Sequence, residues 1–188
     1  MTIAYNNSIL SPILNQHLHQ PSVGFDIYSR TDSSLNTIAP AAGQVYFTFF
    51  TAYFPITVSS MTMISGNTAG ASLTLAKMGL YTFDETTATL VARTASDTTL
   101  FTAINTAYLR SFSTVGGYPA SYALVAGVRY GIAVSVVGTT LPTLCGKTIA
   151  VGMSSLTQKT NAVFSGSDLP TTANSFSTAQ GHIFARLT

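Results

Sequence analysis

The stretch Val128-Arg129-Tyr130-Gly131-Ile132-Ala133-Val134-Ser135-Val136-Val137 decides the fold class. Val128, Tyr130, Ile132, Val134 and Val136 fall on one side, and Arg129, Gly131, Ala133 and Ser135 on the other. That is the period of two of a half-buried strand. The spacing predicts a central strand with one face on a core, including Tyr130 and Ile132, and a second face that stays light. Just upstream, Tyr122-x-Leu124-x-Ala126-Gly127 puts an aromatic at a corner and a glycine where a positive φ is expected, so the segment reads as a sandwich corner.

Working outward, short apolar runs alternate with Gly, Asn, Asp and Ser clusters. Strands are predicted near 23–28, 45–54, 56–64, 73–83, 89–93, 107–112, 122–124, 128–137, 148–153 and 182–187. Within 73–83 the apolar parity changes between Leu73, Leu75 and Met78, Leu80, which predicts a bulge near Ala76-Lys77. Asp84-Glu85-Thr86-Thr87 reads as a hairpin turn. Residues 154–181 are loop-like, with only Ala162-Phe164 strand-like. So many short strands without a long helical pattern indicate an all-β chain: an antiparallel β-sandwich with jelly-roll or immunoglobulin-like connections over residues 23–188.

Residues 1–22 differ. Ile9, Leu10, Ile13 and Leu14 are apolar but sit among Asn, Gln and His, with Pro12 and Pro21 breaking the run. This is an N-terminal arm too short to bury its own apolar face. It needs either the surface of its own domain or a neighbouring chain.

The 188 residues favour one domain. Charged residues make up only 7%, against roughly a quarter in ordinary domains, and mean hydropathy is +0.36. No run approaches the roughly 18 apolar residues of a spanning helix. A membrane barrel would need export, and Met1-Thr2-Ile3-Ala4-Tyr5 lacks the basic and apolar regions of a secretory signal. No membrane insertion is expected. The net charge of +2 comes from scattered Lys and Arg, with no stripe to neutralise phosphates, so nucleic acid is not an expected partner. The lone Cys145 has no intrachain partner for a disulfide and reads as a small buried residue.

Chemistry has little to work with. The histidines are His17, His19 and His182, and no G-x-S-x-G elbow accompanies them. His17 and His19 could gather about a symmetry axis around a metal or anion, or be ordinary polar arm residues. The acids are Asp26, Asp32, Asp84, Glu85, Asp97 and Asp168; a glycosidase pair must come from these, and the adjacent Asp84 and Glu85 fit a solvated turn. The sequon Asn6-Asn7-Ser8 matters only in a secreted eukaryotic protein. No nucleotide or EF-hand motif occurs. The expectation is no catalytic residue, no cofactor and no metal. Recognition, if present, belongs to loops at one end of the sandwich: Asp97-Thr99, Gly116-Tyr118 and Ser165-Asn174. Tyr118, with its amphipathic ring in a Gly-Gly-Tyr-Pro turn, is the leading ligand contact, with Asp97 and Asn174 beside it.

The stretches Lys77-Met78-Gly79-Leu80-Tyr81-Thr82, Leu90-Val91-Ala92-Arg93-Thr94, Asp97-Thr98-Thr99-Leu100-Phe101, Tyr122-Ala123-Leu124 and Ala126-Gly127-Val128-Arg129-Tyr130-Gly131-Ile132 resemble β-sandwich domains of tailed-bacteriophage virion proteins, found in tail fibres, head fibres and capsid decoration proteins. The resemblance spans about residues 45–150. It implies a non-enzymatic virion subunit, homo-oligomeric with a trimer favoured, held to other virion proteins by its arm and displaying the sandwich outward, with host-surface glycans as candidate ligands. The absence of a repetitive shaft favours a short spike, decoration subunit or small fibre head. Two other classes stay open: a stand-alone bacterial carbohydrate-binding or adhesive module, folding as a monomer with a compact ligand patch, and a surface-polysaccharide hydrolase with acids or a His converging in a groove.

Overall fold

The computed structural model describes residues 24–29, 33–148, 159–179 and 181–188. The arm, with Ile9, Leu10, Ile13 and Leu14, and His17 and His19 with it, lies outside the described residues, as does the 148–153 strand beyond Thr148. Among the described residues there is no helix. The strands, in chain order, are β1 (Phe25–Asp26), β2 (Ser34–Ile38), β3 (Gln44–Thr51), β4 (Ile56–Val58), β5 (Ser60–Ile64), β6 (Leu75–Phe83), β7 (Ala88–Arg93), β8 (Ala107–Ser111), β9 (Tyr122–Leu124), β10 (Arg129–Val137), β11 (Leu144–Thr148), β12 (Asn161–Ser165), β13 (Thr172–Ala173), β14 (Phe176–Ser177), β15 (Gly181–Ile183) and β16 (Ala185–Leu187). Their ladders are antiparallel, and the chain is all-β.

The predicted central strand is central. β10 lies between β6 and β3 in a seven-stranded sheet ordered β13-β7-β6-β10-β3-β12-β14. Its end strands, β13 and β14, are separated in the chain only by Asn174 and Ser175, so the sheet curls back on itself and nearly closes. A smaller sheet, β1-β16-β5-β8, and a three-stranded one, β15-β11-β2, cover its convex side.

Both faces of β10 are buried, which corrects the expectation of a light second face. On the convex side Tyr130, Ile132, Val134 and Val136 join Met78, Leu80 and Phe50 against Met61 and Met63 of β5, Tyr108 of β8, and Ala185 and Leu187 of β16. Buried Thr48 bridges sheets there, its Oγ1 accepting a hydrogen bond from the Ile183 N–H at 2.8 Å. On the concave side Gly131 pairs with Phe49 and Tyr81, and Ala133 with Phe47 and Gly79. Because these β10 residues are small, rings from the two flanking strands meet across them: Phe49 stacks on Phe83 at 3.8 Å, and Phe47 meets Tyr81 edge-on at 4.9 Å. The residues that look light in the sequence are the space an aromatic second core occupies.

That core is capped by a segment expected to be loop-like apart from Ala162-Phe164, which lies within β12. β12 pairs with β3, and β13 with β7. Between them the chain is tied down by Ser135 Oγ donating to the Ser167 carbonyl (3.2 Å), the Lys77–Asp168 ion pair (2.6 Å), and Tyr81 Oη donating to the Pro170 carbonyl (2.9 Å). Leu169 is buried there, packed close over Gly79.

Other expectations shift locally. The β6–β10 ladder runs unbroken through Ala76 and Lys77; the register slips instead between β6 and β7, with Val91 as the extra residue. The 45–54 strand ends at Thr51, and 56–64 is two strands, β4 pairing with β9 and β5 with β8 and β16. β2 lies where the sequence predicts no strand, and β11 meets the predicted 148–153 strand only at Thr148. The corner before β10 forms as predicted: Gly127 has φ +80°, and Tyr130 Oη accepts from the Val125 N–H at 3.0 Å. Val128 sits in this corner, 38% exposed, outside the strand face assigned to it.

Candidate functional site

The nearly closed edge of the large sheet makes an open cleft of about 420 Å³, lined by Glu85, Thr86, Lys159, Asn174, Ser175, Phe176 and Ser177. Its walls follow from local sequence. On one side is the β6–β7 hairpin, tightened by Asp84, whose Oδ1 accepts the backbone N–H groups of Thr87 (2.6 Å) and Thr86 (3.0 Å) and the Thr86 hydroxyl (2.9 Å). These bonds, led by the one from Thr87, hold the Asp84 carboxyl below the usual carboxylate range. The turn puts Glu85 at φ +78°, with its carboxylate paired to Arg129.

Arg129 organises the floor. It also donates to the Lys159 carbonyl, and its guanidinium lies 5.1 Å over the Phe83 ring. The opposite wall is the β13–β14 junction. Phe176 is half-buried, meeting Phe47, Phe49 and Phe83 edge-on at 5.4, 5.7 and 6.1 Å. Among the described residues the cleft thus combines the Glu85 carboxylate, the Lys159 ammonium, the Asn174 amide, the hydroxyls of Thr86, Ser175 and Ser177, and the Phe176 ring. That inventory can hydrogen-bond a polyhydroxylated ligand from several directions.

Of the sequence candidates, Asn174 lines this cleft; Asp97 and Tyr118 do not. Asp97 is committed to structure: it accepts from the Thr99 hydroxyl (2.6 Å) and N–H (2.8 Å) and from Arg110 Nε (2.6 Å), and these, led by the Thr99 hydroxyl, lower its pKa. Tyr118 packs against the second core with the Arg93 guanidinium 4.9 Å over its ring, while Arg93 Nη2 donates to the Val115 carbonyl. Asn174 follows Ala173, which pairs with Ala88, whereas Tyr118 sits by Arg93 at the far end of β7. Five residues of strand put these ends about 17 Å apart, so Asn174 and Tyr118 do not share a site, although the middle of the 165–174 segment and Tyr118 both approach Tyr81, whose hydroxyl donates to the Pro170 carbonyl.

The exposed aromatic is one the sequence reading missed. Tyr53 is 82% exposed, in the 52–55 connection that packs on the corner through Ala52 and Gly127, next to exposed Val125 and Val128. The sequence reading carries the strand on through Tyr53, whereas β3 ends at Thr51. Pro55, which cannot continue a ladder, was the available signal that the strand stops early. His182, on β15, has its Nε2 buried without a hydrogen-bond partner, and burial lowers its pKa. Among the described residues no group of three or more His, Cys, Asp or Glu side chains is placed to hold a metal ion, and no helix is long and apolar enough to cross a membrane.

Compared with known proteins, the chain matches no family model and no curated relative.

Proposed function

We propose that the protein is a non-enzymatic structural subunit of a bacteriophage particle, homo-oligomeric with a trimer favoured, in which residues 1–22 dock to neighbouring virion proteins and the β domain is displayed outward as a fibre or decoration subunit. The observation that carries this reading is how the described carboxylates are spent. Asp26 pairs with Arg186, Glu85 with Arg129, Asp97 with Arg110 and Asp168 with Lys77, and Asp84 closes its own turn. Four of them join separate segments, and neither described groove is lined by a pair of them, Glu85 being the one acid along the cleft among the described residues, whereas hydrolysis of a glycoside ordinarily uses two. What remains outward is a surface of Thr, Ser, Asn and Ala with little charge to repel a neighbour, the composition of a subunit whose surface is partly covered. The cleft at Asn174 gives such a subunit a place for a host-surface glycan.

The cleft also favours a second reading, a monomeric carbohydrate-binding module. Light scattering on the full chain separates the two: an oligomer that persists on dilution supports the virion subunit, and a monomer at all concentrations that binds glycans supports the module. Glycan-array binding weakened by Asn174→Ala and retained in Tyr118→Ala would locate the ligand in the cleft. Turnover of a surface polysaccharide would overturn both readings.

A further inference from the structure

The outer face of the sheet β1-β16-β5-β8 carries a second groove, about 310 Å³, lined by Ser33, Thr62, Ile64, Ala107, Cys145, Phe184 and Arg186. Its lining is mostly apolar. The only charge among its described lining residues, Arg186, is paired with Asp26 at 3.2 Å. The same face continues onto Leu109, opposite Thr62 in the β5–β8 ladder and 55% exposed. An apolar sheet face of this kind is ordinarily covered.

We propose that the groove is the seat of the arm's apolar segment, Ile9-Leu10-Ser11-Pro12-Ile13-Leu14. Two further observations select this occupant. First, the described chain begins at Gly24 and enters β1, whose Asp26 pairs with Arg186, a residue of the groove wall. The arm is therefore delivered one strand away from the groove. The ten residues from Leu14 to Gly24 can reach up to about 33 Å when extended, enough to cross this sheet or to reach that of an adjoining copy. Second, the chemistries match: the segment carries four aliphatic side chains and no charge, and the groove offers aliphatic and aromatic walls with its one charge already neutralised. The assignment rests on residues 1–22 acting as a docking arm and names the surface they dock to.

Cys145, the single cysteine of the chain, lies in the groove wall and is 5% exposed, so it reports occupancy. In the full chain, Ile9→Ser, Leu10→Ser, Ile13→Ser and Leu14→Ser together should raise the rate of Cys145 alkylation by N-ethylmaleimide about tenfold, because access of reagent to the thiolate governs the rate, with the far-UV circular dichroism spectrum of the β domain unchanged. An unchanged rate overturns the assignment. Independently, Leu10→Cys should be bridged to Cys145 by a short bismaleimide. Bridging between chains supports both the seat and the oligomeric arm; bridging within one chain supports the seat and removes the arm as the contact between copies. An oligomer that gives no bridge overturns the seat and leaves the oligomeric reading standing.

Discussion

Gly131 and Phe49 face each other across the β10–β3 ladder so closely that a Cβ on Gly131 would stand 2.9 Å from Phe49 Cδ1. The ring cannot simply retreat, because it stacks on Phe83 at 3.8 Å. Gly131→Val should therefore destabilise the fold by about 1–3 kcal/mol through overpacking, read as a lower urea midpoint at constant slope. In a Phe49→Leu background the same change should cost less, since the two residues share one space. Equal costs in both backgrounds would show that the ring is not what Gly131 accommodates.

Ile132, fully buried on the convex side of β10, should not tolerate Asp. An unpaired carboxylate among Met78, Leu80 and Met63 has no partner, and the loss of several kcal/mol should abolish soluble expression. A well-folded Ile132→Asp protein would contradict the assignment of this face.

Arg129→Ala should be costlier than its position on a light strand face predicts. The side chain is only 12% exposed and joins Glu85, the Lys159 carbonyl and the Phe83 ring. Losing hydrogen bonds from a charged donor should lower stability by about 1–3 kcal/mol, and it should also weaken any ligand binding in the cleft by freeing Glu85. A substitution that leaves the urea midpoint unchanged would contradict this account.

His182 should make the fold acid-sensitive. Burial lowers its pKa below the ordinary value of 6.5, so as pH falls through that value the unfolded chain takes up a proton that the folded chain does not. Stability is then present above about pH 6.5 and is lost on acidification toward the lowered folded value. His182→Phe should flatten the fall in Tm between about pH 6.5 and 5, where carboxylates contribute little. His17 and His19 are present in both proteins and cancel. Parallel profiles would show that His182 is not the group responsible.

Deleting residues 1–22 should leave the β domain folded, with a cooperative urea transition, while abolishing self-association. Among the described residues, the members of both cores and of the ladders that frame them all lie after residue 22. A truncated chain that unfolds outright would place the arm in the core.

The candidate site was far less legible than the fold. Asn174 was picked as a loop amide and does line the cleft, but its partners Glu85 and Lys159 are 89 and 15 residues away in the chain and carry no shared motif. Tyr118 and Tyr53 look alike in sequence, each an aromatic within two residues of a proline. Arg93 and the second core engage the first, while the early end of β3 leaves the second outside.

The alternation from Tyr130 to Val136, the turn at Asp84-Thr87 and the glycine at 127 determined by themselves that this chain is antiparallel β, where its central strand lies and where its clearest hairpin and corner fall. These are local properties: period two, an Asx turn and a positive φ are each set by a few adjacent residues. Only the tertiary structure decided that Gly131 and Ala133 lie in a core, that 161–177 closes the sheet, and which polar residues meet in a cleft. Small side chains read the same facing water or beneath a ring. What separates the two cases is the curl of the sheet, and that depends on pairings between β3, β6, β10 and β12, far apart in the chain.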